Sequence, residues 1–452
     1  MEQYEENKMG VLPVPRLLIT MAVPIMISML VQALYNIVDS IFVGHLSSEA
    51  LTAVSMSYPC QTLIVAVGSG LSIGINAYLS RSLGEGNREK ANAAAVNGIF
   101  LSFAVYILFA LFGIFGSRIF FMAQTDHEQI VRYGTEYLSV CLTFSLGSFM
   151  QMTMERILQA TGNTVYCMIC QGIGAGMNII LDPILIYGLL GFPRMEVMGA
   201  AIATVISQFI GAGTAFYFNI RKNTDIRFRF RGFKPDRAVI SEICRVGIPT
   251  MITQSLASVM TFSLNQILLM FSPVAVSVLG VYFKLQSFVF LPVSGITDSM
   301  IPIVAYNLGA RRKKRITEAL CFATVVSTLI LTLGSVVFHI IPHLLIALFT
   351  KDPQMLEMGV PAIKAISLSY VFAGITNIFP GFFQAMGNAL YSTLLSAVRR
   401  IGIIVPVSWL LASCFGLSAV WYAFPIAESA TMVLCLFLYG RVYHSAIKKL
   451  NS

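Results

Sequence analysis

The chain has 452 residues, of which 56% are hydrophobic and only 11% are charged. A soluble domain of ordinary composition carries about 25% charged residues, so this chain has too little charge to cover a water-facing surface of its size. Its net charge of +9 does not indicate nucleic-acid binding, because the basic residues lie in short clusters between apolar runs. The composition predicts a polytopic helical membrane protein, and the alternation typical of a barrel is absent.

Apolar runs, taken in chain order, predict twelve membrane-spanning helices. The first run is too long for a cleavable signal peptide and lacks a small-residue cleavage site, so we expect it to be retained. The predicted spans are residues 15–44, 50–80, 92–117, 130–157, 162–190, 197–220, 241–270, 275–305, 316–348, 356–384, 389–414 and 417–446.

A register of 225 residues relates the two halves of the chain. Pro24 matches Pro249, and residues 159–163 (Gln-Ala-Thr-Gly-Asn) match residues 384–388 (Gln-Ala-Met-Gly-Asn). Each repeat holds six spans, and an even number means that both repeats insert in the same orientation. The predicted fold is therefore all-α, with twelve transmembrane helices in two pseudo-symmetric six-helix bundles. They form a parallel repeat whose axis lies along the membrane normal.

This duplication predicts an N-terminal six-helix lobe over residues 1–220, a cytoplasmic linker over 221–240 and a C-terminal six-helix lobe over 241–452. The linker holds Arg-Phe-Arg-Phe-Arg at 227–231. It either contacts anionic lipid headgroups or forms a solvated connector.

The distribution of Lys and Arg predicts the orientation of the chain. The N-terminus, the loops after spans 2, 6 and 8, and the C-terminus carry nearly all of the flanking basic residues. The opposite loops carry only Arg118, Arg194 and Lys351. We therefore expect a multi-pass protein of the cell (inner) membrane with both termini in the cytoplasm.

Two carboxylates lie deep within predicted spans of the first half. Asp39 lies about 23 residues after Arg16, and Asp182 lies about 20 residues after Gly162. At about 1.5 Å per residue, each lies roughly 30 Å from the cytoplasmic start of its span. Spans 1 and 5 run in the same direction, so the two acids reach a similar depth and can share a site. Burial and a like-charged neighbour disfavour two charged carboxylates, so the pair would take up a proton or bind Na⁺.

Neighbouring polar residues extend this predicted site. On span 5, Asn178 lies one helical turn before Asp182, and Pro183 follows directly. Proline lacks an N–H, so we expect the helix to bend and to free a carbonyl beside the carboxylate. The alternative is a structural polar contact at a kink. On span 1, three polar residues precede Asp39 at helical spacing: Gln32, Tyr35 and Asn36.

The second half does not repeat the acids, since Leu264 and Val407 occupy the equivalent positions. We expect its one deep acid to pair with one of two adjacent arginines in a structural ion pair. A lysine in span 8 has either a gating role or a snorkelling side chain. The charges of the second half that we expect to be buried are Lys284, Lys364, Arg399, Arg400 and Glu428.

Other motifs predict no catalysis. Cys167 and Cys170 form a lone Cys-x-x-Cys pair, which indicates buried thiols rather than a metal site. No P-loop or Ser/His/Asp arrangement is visible, so we expect neither an enzyme nor an ATP-driven pump, and no cofactor. Glycines in spans 2 and 5 would permit close helix packing, namely Gly70, Gly74, Gly172, Gly174 and Gly176.

The order of motifs along the chain resembles the multidrug and toxic compound extrusion (MATE) transporters over nearly the whole length. Singly these motifs are weak, but they occur in this order together with the duplication. They are Ala-Val-Pro at 22–24, Tyr-Asn-Ile-Val-Asp at 35–39, Leu-Gly-Glu-Gly-Asn at 83–87, Gln-Ala-Thr-Gly-Asn at 159–163, Asn-Ile-Ile-Leu-Asp-Pro at 178–183 and Gly-Ala-Ala-Ile-Ala-Thr at 199–204.

The resemblance implies secondary export of cationic lipophilic drugs and dyes in exchange for H⁺ or Na⁺, by alternating access of two lobes around a central cleft. It looks like the branch whose acidic cation site lies in the N-terminal lobe. Asp39 and Asp182 match that branch's ion-binding carboxylates, Asn178 matches an amide near them, and Thr204 matches a hydroxyl ligand. We expect Asn36 to join the same cation site, and the substrate cavity to include Gln32, Tyr35, Asp39 and Asp182.

Other functions stay open at this point. A flippase for a lipid-linked precursor in the same superfamily needs a cationic cavity, which Lys284, Lys364, Arg399 and Arg400 would supply. A membrane-embedded enzyme needs a nucleophile and base or a metal cluster, and none is visible. A receptor or channel is disfavoured by the duplication. The expected partners are small cationic drugs and the lipid bilayer, with no nucleic acid, and the chain is expected to act as a monomer.

Overall fold

The computed structural model describes residues 7–350 and 352–450, which form helices joined by short turns. Within these described residues there is no β-strand. Residues 1–6, 451 and 452 lie outside the described part, and so does Lys351, which contributed to the predicted orientation.

Nine α-helices precede the middle of the chain in the described residues. They are α1 (Lys8–Val11), α2 (Val14–Gly44), α3 (Ser48–Gly84), α4 (Arg88–Phe115), α5 (Ser117–Met122), α6 (Glu128–Thr143), α7 (Leu146–Ala160), α8 (Thr164–Tyr187) and α9 (Glu196–Arg221).

The described part of the second half contains eleven further α-helices and two π-helical segments. The helices are α10 (Arg237–Leu269), α11 (Pro273–Gly309), α12 (Lys313–Ile340), α13 (Pro342–Ala347), α14 (Pro353–Ser367), α15 (Tyr370–Thr376), α16 (Ile378–Ala385), α17 (Ala389–Ala397), α18 (Val405–Phe415), α19 (Leu417–Val420) and α20 (Ala423–Val442). The π-helical segments are Val398–Ile404 and Tyr443–Ile447.

These helices account for each of the twelve predicted spans. In the described residues, nine helical stretches are long and apolar enough to cross a membrane, and a tenth is the pair Pro353–Ser367 and Tyr370–Ala385, bent by 47°. The other two predicted spans are α10, a continuous helix of 33 residues, and the consecutive helices α6 and α7. Helices α6 and α7 are 16 and 15 residues long, so neither alone is long enough to span a bilayer.

The repeated inter-helix turns are formed by glycines at equivalent positions. Gly162 has a φ angle of +82° and Gly387 has a φ angle of +78°. Side chains with a Cβ rarely adopt this left-handed conformation, whereas glycine does so without steric cost. The matching turns at 159–163 and 384–388 therefore reflect the same backbone requirement in each repeat.

The described chain divides into two compact units whose boundaries fall inside helices. The first unit contains residues up to Lys8 and Val23–Ile248, and the second contains Met9–Ala22 and Pro249–Ser452. Helices α2 and α10 therefore each contribute to both units. The division falls beside Pro24 in α2 and beside Pro249 in α10, which are equivalent positions in the repeat. The lobe boundaries 1–220, 221–240 and 241–452 remain predictions.

Each of these prolines has a hydroxyl side chain one helical turn later. Ser28 Oγ donates to the carbonyl of Pro24 at 2.9 Å, and Thr253 Oγ1 donates to the carbonyl of Pro249 at 3.0 Å. The carbonyl of Pro249 accepts a second hydrogen bond from Thr393 Oγ1 at 2.8 Å. Such bonds satisfy backbone groups where a proline interrupts the helical ladder.

The polar segment 221–240 packs on the first unit. The N–H of Arg227 donates to Asn92 Oδ1 at 2.7 Å, and the N–H of Asp236 donates to Asn97 Oδ1 at 2.9 Å. Ile226 is buried as well. These contacts hold parts of the segment against α4, while most of its residues are exposed, so both predicted roles of the segment stay predictions.

Candidate functional site

The first unit brings Asn178, Asp182 and Thr204 together inside the helix bundle. Helices α8 and α9 pack side by side, which places Thr204 against the polar face of α8. Asn178 Nδ2 donates to Asp182 Oδ1 at 3.3 Å and to Thr204 Oγ1 at 3.4 Å. Asp182 is 0% exposed and Asn178 is 2% exposed. A carboxylate buried this deeply is costly unless a proton, a cation or hydrogen-bond donors compensate its charge.

Asp39 on α2 lies near this group. Asp39 and Asp182 interact electrostatically, and Tyr35 interacts with both of them. Tyr137 on α6 also interacts with Asp39, and its hydroxyl accepts a hydrogen bond of 2.9 Å from Gln61 Nε2. The two acids that the sequence predicted at similar depth are therefore neighbours in the structure.

Three buried oxygens of this group have no hydrogen-bond partner among the residues that the structure describes. They are Asp39 Oδ1, Asn178 Oδ1 and Asp182 Oδ2. Buried polar atoms in proteins are nearly always satisfied, so oxygens without a partner point to a ligand. Carboxylate, amide and hydroxyl oxygens are the ligands that hard cations prefer, and a carboxylate oxygen also accepts a proton. The donor set therefore fits either H⁺ or Na⁺.

An apolar cluster lies beyond the acids at the ends of α2 and α8. Val43 follows Asp39 by one helical turn, and Ile186 follows Asp182 by one turn. Both are fully buried, and they pack with Val197, Ala200, Ala201 and other residues of the same cluster. Apolar side chains therefore occupy the space between the acids and this end of the first unit.

A small cavity with both polar and apolar lining lies on the other side of the acids from this cluster. Its volume is about 30 Å³, which is room for about two water molecules. Asn178 and Thr204 line one part of it, and Gln151 and Gln171 line another. The cavity therefore continues the polar site away from the apolar cluster. Its lining residues are Tyr35, Gln151, Gln171, Gly174, Ala175, Asn178, Thr204, Ser207 and Gln208.

A buried carboxylate lies beside this cavity, and it was not among the site residues predicted from the sequence. Glu155 on α7 is 7% exposed, and both of its carboxylate oxygens accept hydrogen bonds from glutamine amides. In the sequence it lies two residues before the end of the predicted span 130–157, where charged residues are ordinary. The one local signal is Gln151, four residues earlier on the same helix. Gln171 is distant in sequence, so only tertiary structure reveals it as a partner.

Two of the predicted site residues are not hydrogen-bonded to this group. Asn36 is exposed, and its carbonyl accepts the Ser40 hydroxyl. Gln32 is half-buried, one turn before Tyr35 and Asn36. Of the predicted stripe on α2, Tyr35 interacts electrostatically with Asp39 and Asp182, and the roles of Asn36 and Gln32 stay predictions.

The charged residues of the second unit form a separate pair. Arg399 Nη1 lies 3.2 Å from Glu428 Oε1, with side-chain exposures of 11% and 13%, and Thr376 Oγ1 donates to Glu428 Oε2. Arg400 donates to the carbonyl of Thr253 at 2.6 Å. This network satisfies both oxygens of the one deep acid of the second unit, in contrast to the unsatisfied oxygens of Asp39 and Asp182.

Lys284 lies outside this network. Its side chain is exposed, and its ammonium group lies 5.9 Å from the centre of the Phe349 ring. A lysine that extends toward an aromatic ring near a helix end is typical of snorkelling. The structure gives Lys284 no contact that indicates gating, which stays a prediction.

Comparison with known proteins identifies the family. The sequence profile of the MatE family matches residues 24–184 and again residues 249–410. The two matches begin 225 residues apart, in agreement with the internal register. The chain is 30% identical to "Multidrug export protein MepA" of Staphylococcus haemolyticus over 92% of this chain and 91% of that protein. It is also 30% identical to "Probable multidrug resistance protein NorM" of Thermotoga maritima, over 94% of this chain and 92% of that protein.

The fold agrees with this sequence similarity. A crystal structure described as MATE in complex with MaL6 superposes with a TM-score of 0.91 at 24% identity, covering 99% of this chain and 100% of that one. The predicted all-α fold with two six-helix lobes is confirmed, and the count of twelve helices fits the family. The chain is a multi-pass membrane protein. From the two profile matches and the relatives of nearly equal length, we conclude that this chain belongs to the MatE family.

Proposed function

We propose that the protein is a secondary active antiporter that exports cationic lipophilic compounds in exchange for H⁺ or Na⁺, by alternating access. The observation that carries this proposal is the buried group in the first unit, where Asp39, Asn178 and Asp182 each have an oxygen without a hydrogen-bond partner. The relatives named as multidrug export and multidrug resistance proteins support the substrate class.

The coupling ion binds at the two acids. With both carboxylates ionised and buried, like charges repel, so a proton or Na⁺ stabilises the pair. Asn178 Oδ1 and Thr204 Oγ1 supply further oxygens for Na⁺, whereas a proton needs only one carboxylate oxygen. Occupation of the site changes the packing or the bend of α2, and this change releases the drug outward.

A positively charged drug and the coupling ion compete for the negative charge of the same carboxylates. An ionised carboxylate balances the charge of the drug, while Tyr35 and other aromatic and Met side chains provide an adaptable apolar surface. Gln32 lies one turn from Tyr35 and extends this surface along α2. Because a carboxylate cannot neutralise the drug and the ion at the same time, ion uptake favours drug release.

The orientation follows from the positive-inside rule. Both termini lie in the cytoplasm, and the protein resides in the cell (inner) membrane. With this orientation the apolar cluster at the ends of α2 and α8 faces the outside, and the Gly162 turn faces the cytoplasm. The chain functions as a monomer.

Ethidium transport in proteoliposomes tests this proposal. Purified protein is reconstituted, and ethidium movement is measured with a pH gradient alone and with a Na⁺ gradient alone. We expect one gradient to drive transport, and we expect Asp39→Asn and Asp182→Asn each to lower it to the level of protein-free vesicles. Asp126→Asn is the matched control, because Asp126 is an exposed carboxylate of the same unit.

Two results would contradict the proposal. Normal ethidium export by both Asp39→Asn and Asp182→Asn would refute the site assignment. Failure of the unmodified protein to transport ethidium and other cationic dyes under either gradient would refute the drug-export function. It would favour the flippase alternative, which movement of a fluorescent lipid between leaflets would then test.

A further inference from the structure

We propose that Glu155 is a second proton-binding residue of the first unit, linked to Asp182 through hydrogen-bonded side chains that line a common cavity, so that the two sites form a path for the coupling ion. This inference rests on the proposed antiport and commits it to H⁺. It begins from the placement of Glu155, a carboxylate that is 7% exposed in a membrane-spanning bundle. Although charged residues are ordinary near the end of a span, a buried carboxylate is costly even there, so its burial calls for a function or a compensating partner.

The carboxylate of Glu155 is held by two amides from different helices. Gln151 Nε2, on the same helix, lies 2.9 Å from Oε1, and Gln171 Nε2, on α8, lies 3.0 Å from Oε2. Both amides donate, so the arrangement fits an ionised carboxylate, which only accepts hydrogen bonds. Two neutral donors stabilise the charge without cancelling it, in contrast to the arginine that pairs with Glu428 in the second unit.

One face of α8 connects this carboxylate to the acidic site. Gln171, Asn178 and Asp182 are spaced by seven and four residues, which places them on a single stripe of the helix. The eleven residues from Gln171 to Asp182 correspond to roughly 16 Å along the helix axis. A direct hydrogen bond cannot cover this distance, so transfer between the two carboxylates requires an intermediate.

Water held by the polar side chains of the cavity supplies this intermediate. The cavity lies between the two ends of the stripe, and both glutamines that hold Glu155 line it together with Asn178 and Thr204. Its volume of about 30 Å³ is enough for about two waters, and the amides and hydroxyls around it offer the two to four partners that a buried water needs. Water in this position would link the Asn178–Asp182 pair to the amides of Gln151 and Gln171.

Protonation of Glu155 changes the hydrogen bonding of the cavity lining. When a proton binds one carboxylate oxygen, the new O–H needs an acceptor, whereas the group that faces this oxygen is an N–H donor. The amide of Gln151 or Gln171 must then turn its oxygen toward Glu155 and its NH₂ group toward the cavity. The proton on Glu155 is therefore coupled to the polarity of the path that leads to Asp182.

Few other charges act on Glu155 in the described structure. Arg156, the next residue on α7, interacts electrostatically with Glu155. The thiols of Cys167 and Cys170 on α8 also interact with Glu155. The contacts described for α7 from α3, α4 and α9 involve groups that do not titrate, namely Ser80, Ser102, Gly211 and Asn219. Neither Asp39 nor Asp182 is among the charges that act directly on Glu155.

Infrared difference spectroscopy of the full-length protein tests the proposal without relying on transport. The protein is held in lipid, the pH is lowered stepwise, and the carbonyl stretching band of protonated carboxyl groups is recorded. We expect one component of this band to disappear in Glu155→Gln and to persist in Asp39→Asn and Asp182→Asn. If the spectrum of Glu155→Gln matches that of the unmodified protein, Glu155 does not take up a proton and the proposal fails.

Transport separates this inference from the proposed function. We expect Glu155→Gln to retain ethidium binding but to lose export driven by a pH gradient, and Glu155→Asp to recover part of it. If the unmodified protein does not export ethidium, the proposed function fails, and the infrared result still decides whether Glu155 binds a proton. If Glu155→Gln exports ethidium with an unchanged pH profile, the path is overturned while the antiport function stands. Export that depends on Na⁺ and not on H⁺ would also overturn it.

Discussion

Gly74 on α3 lies very close to the backbone of α10, and both contacting segments belong to the first unit. A Cβ atom added at Gly74 would lie against the backbone carbonyl of Ile243 on α10, 3.1 Å from its carbon and 3.2 Å from the N of Gly247. The contacting atoms belong to helix backbone and cannot rotate away. Gly74→Ala must therefore push α3 and the first part of α10 apart.

The expected cost follows from these contacts. Overpacking a well-packed interior costs about 1–3 kcal/mol, and the upper end applies because rigid backbone atoms are in contact. Alanine regains about 1 kcal/mol over glycine through its helix propensity, which leaves a net loss of about 2 kcal/mol. Gly172 on α8 is the matched control, since a Cβ there meets nothing within 4 Å. Gly172→Ala should stabilise by up to about 1 kcal/mol.

Reversible unfolding of the purified protein in mixed detergent micelles measures this difference. Circular dichroism is the better probe, because both tryptophans, Trp409 and Trp421, belong to the second unit. We expect Gly74→Ala to unfold at a lower denaturant concentration than the unmodified protein and Gly172→Ala at an equal or higher one. Equal stability of the two variants would refute the close backbone contact between α3 and α10.

Further predictions concern the networks of the two units. Gly211→Ala places a Cβ 2.7–2.8 Å from the amide of Gln151. Because this amide can move, we expect little loss of stability but a shift of the infrared carbonyl band of Glu155. Gly213→Ala is the control, since a Cβ there meets nothing within 4 Å among the described residues, and it should leave the band in place. In the second unit, Arg399→Met should destabilise by about 3–5 kcal/mol by leaving a buried carboxylate unpaired. Combining it with Glu428→Gln should restore most of the lost stability in thermal unfolding, and failure of this rescue would contradict the ion pair.

The membrane-spanning segments were predictable because the bilayer thickness sets the length of a helix that crosses it. The positions at which a helix breaks within a span were not predictable. The predicted span 130–157 is interrupted at Phe144 and Ser145, between α6 and α7, without a proline at the break. The predicted span 356–384 is divided at 368–369 and at 377. Local sequence contains no strong signal at these positions, so the breaks reflect tertiary packing.

The site was predictable only where its geometry is local. Asn178 and Asp182 lie one turn apart on a single helix, so spacing alone places them together. The contact of Asn178 with Thr204 joins two helices, and it was expected only from the family resemblance. Glu155 escaped prediction because its defining partner, Gln171, lies on another helix and its own position is close to a predicted span end.

The exchange of residues between the two units constrains the order in which the chain can fold. Residues Met9–Ala22 belong to the second unit, although its remaining part begins only at Pro249. During synthesis, more than two hundred residues are added after this segment before the rest of the second unit is made. Closing a loop of this length is entropically costly and slow. A chain cut after Ile248 would retain the start of α2 without the unit that it packs into. The two halves of this duplicated protein are therefore not independent folding modules, despite their common origin.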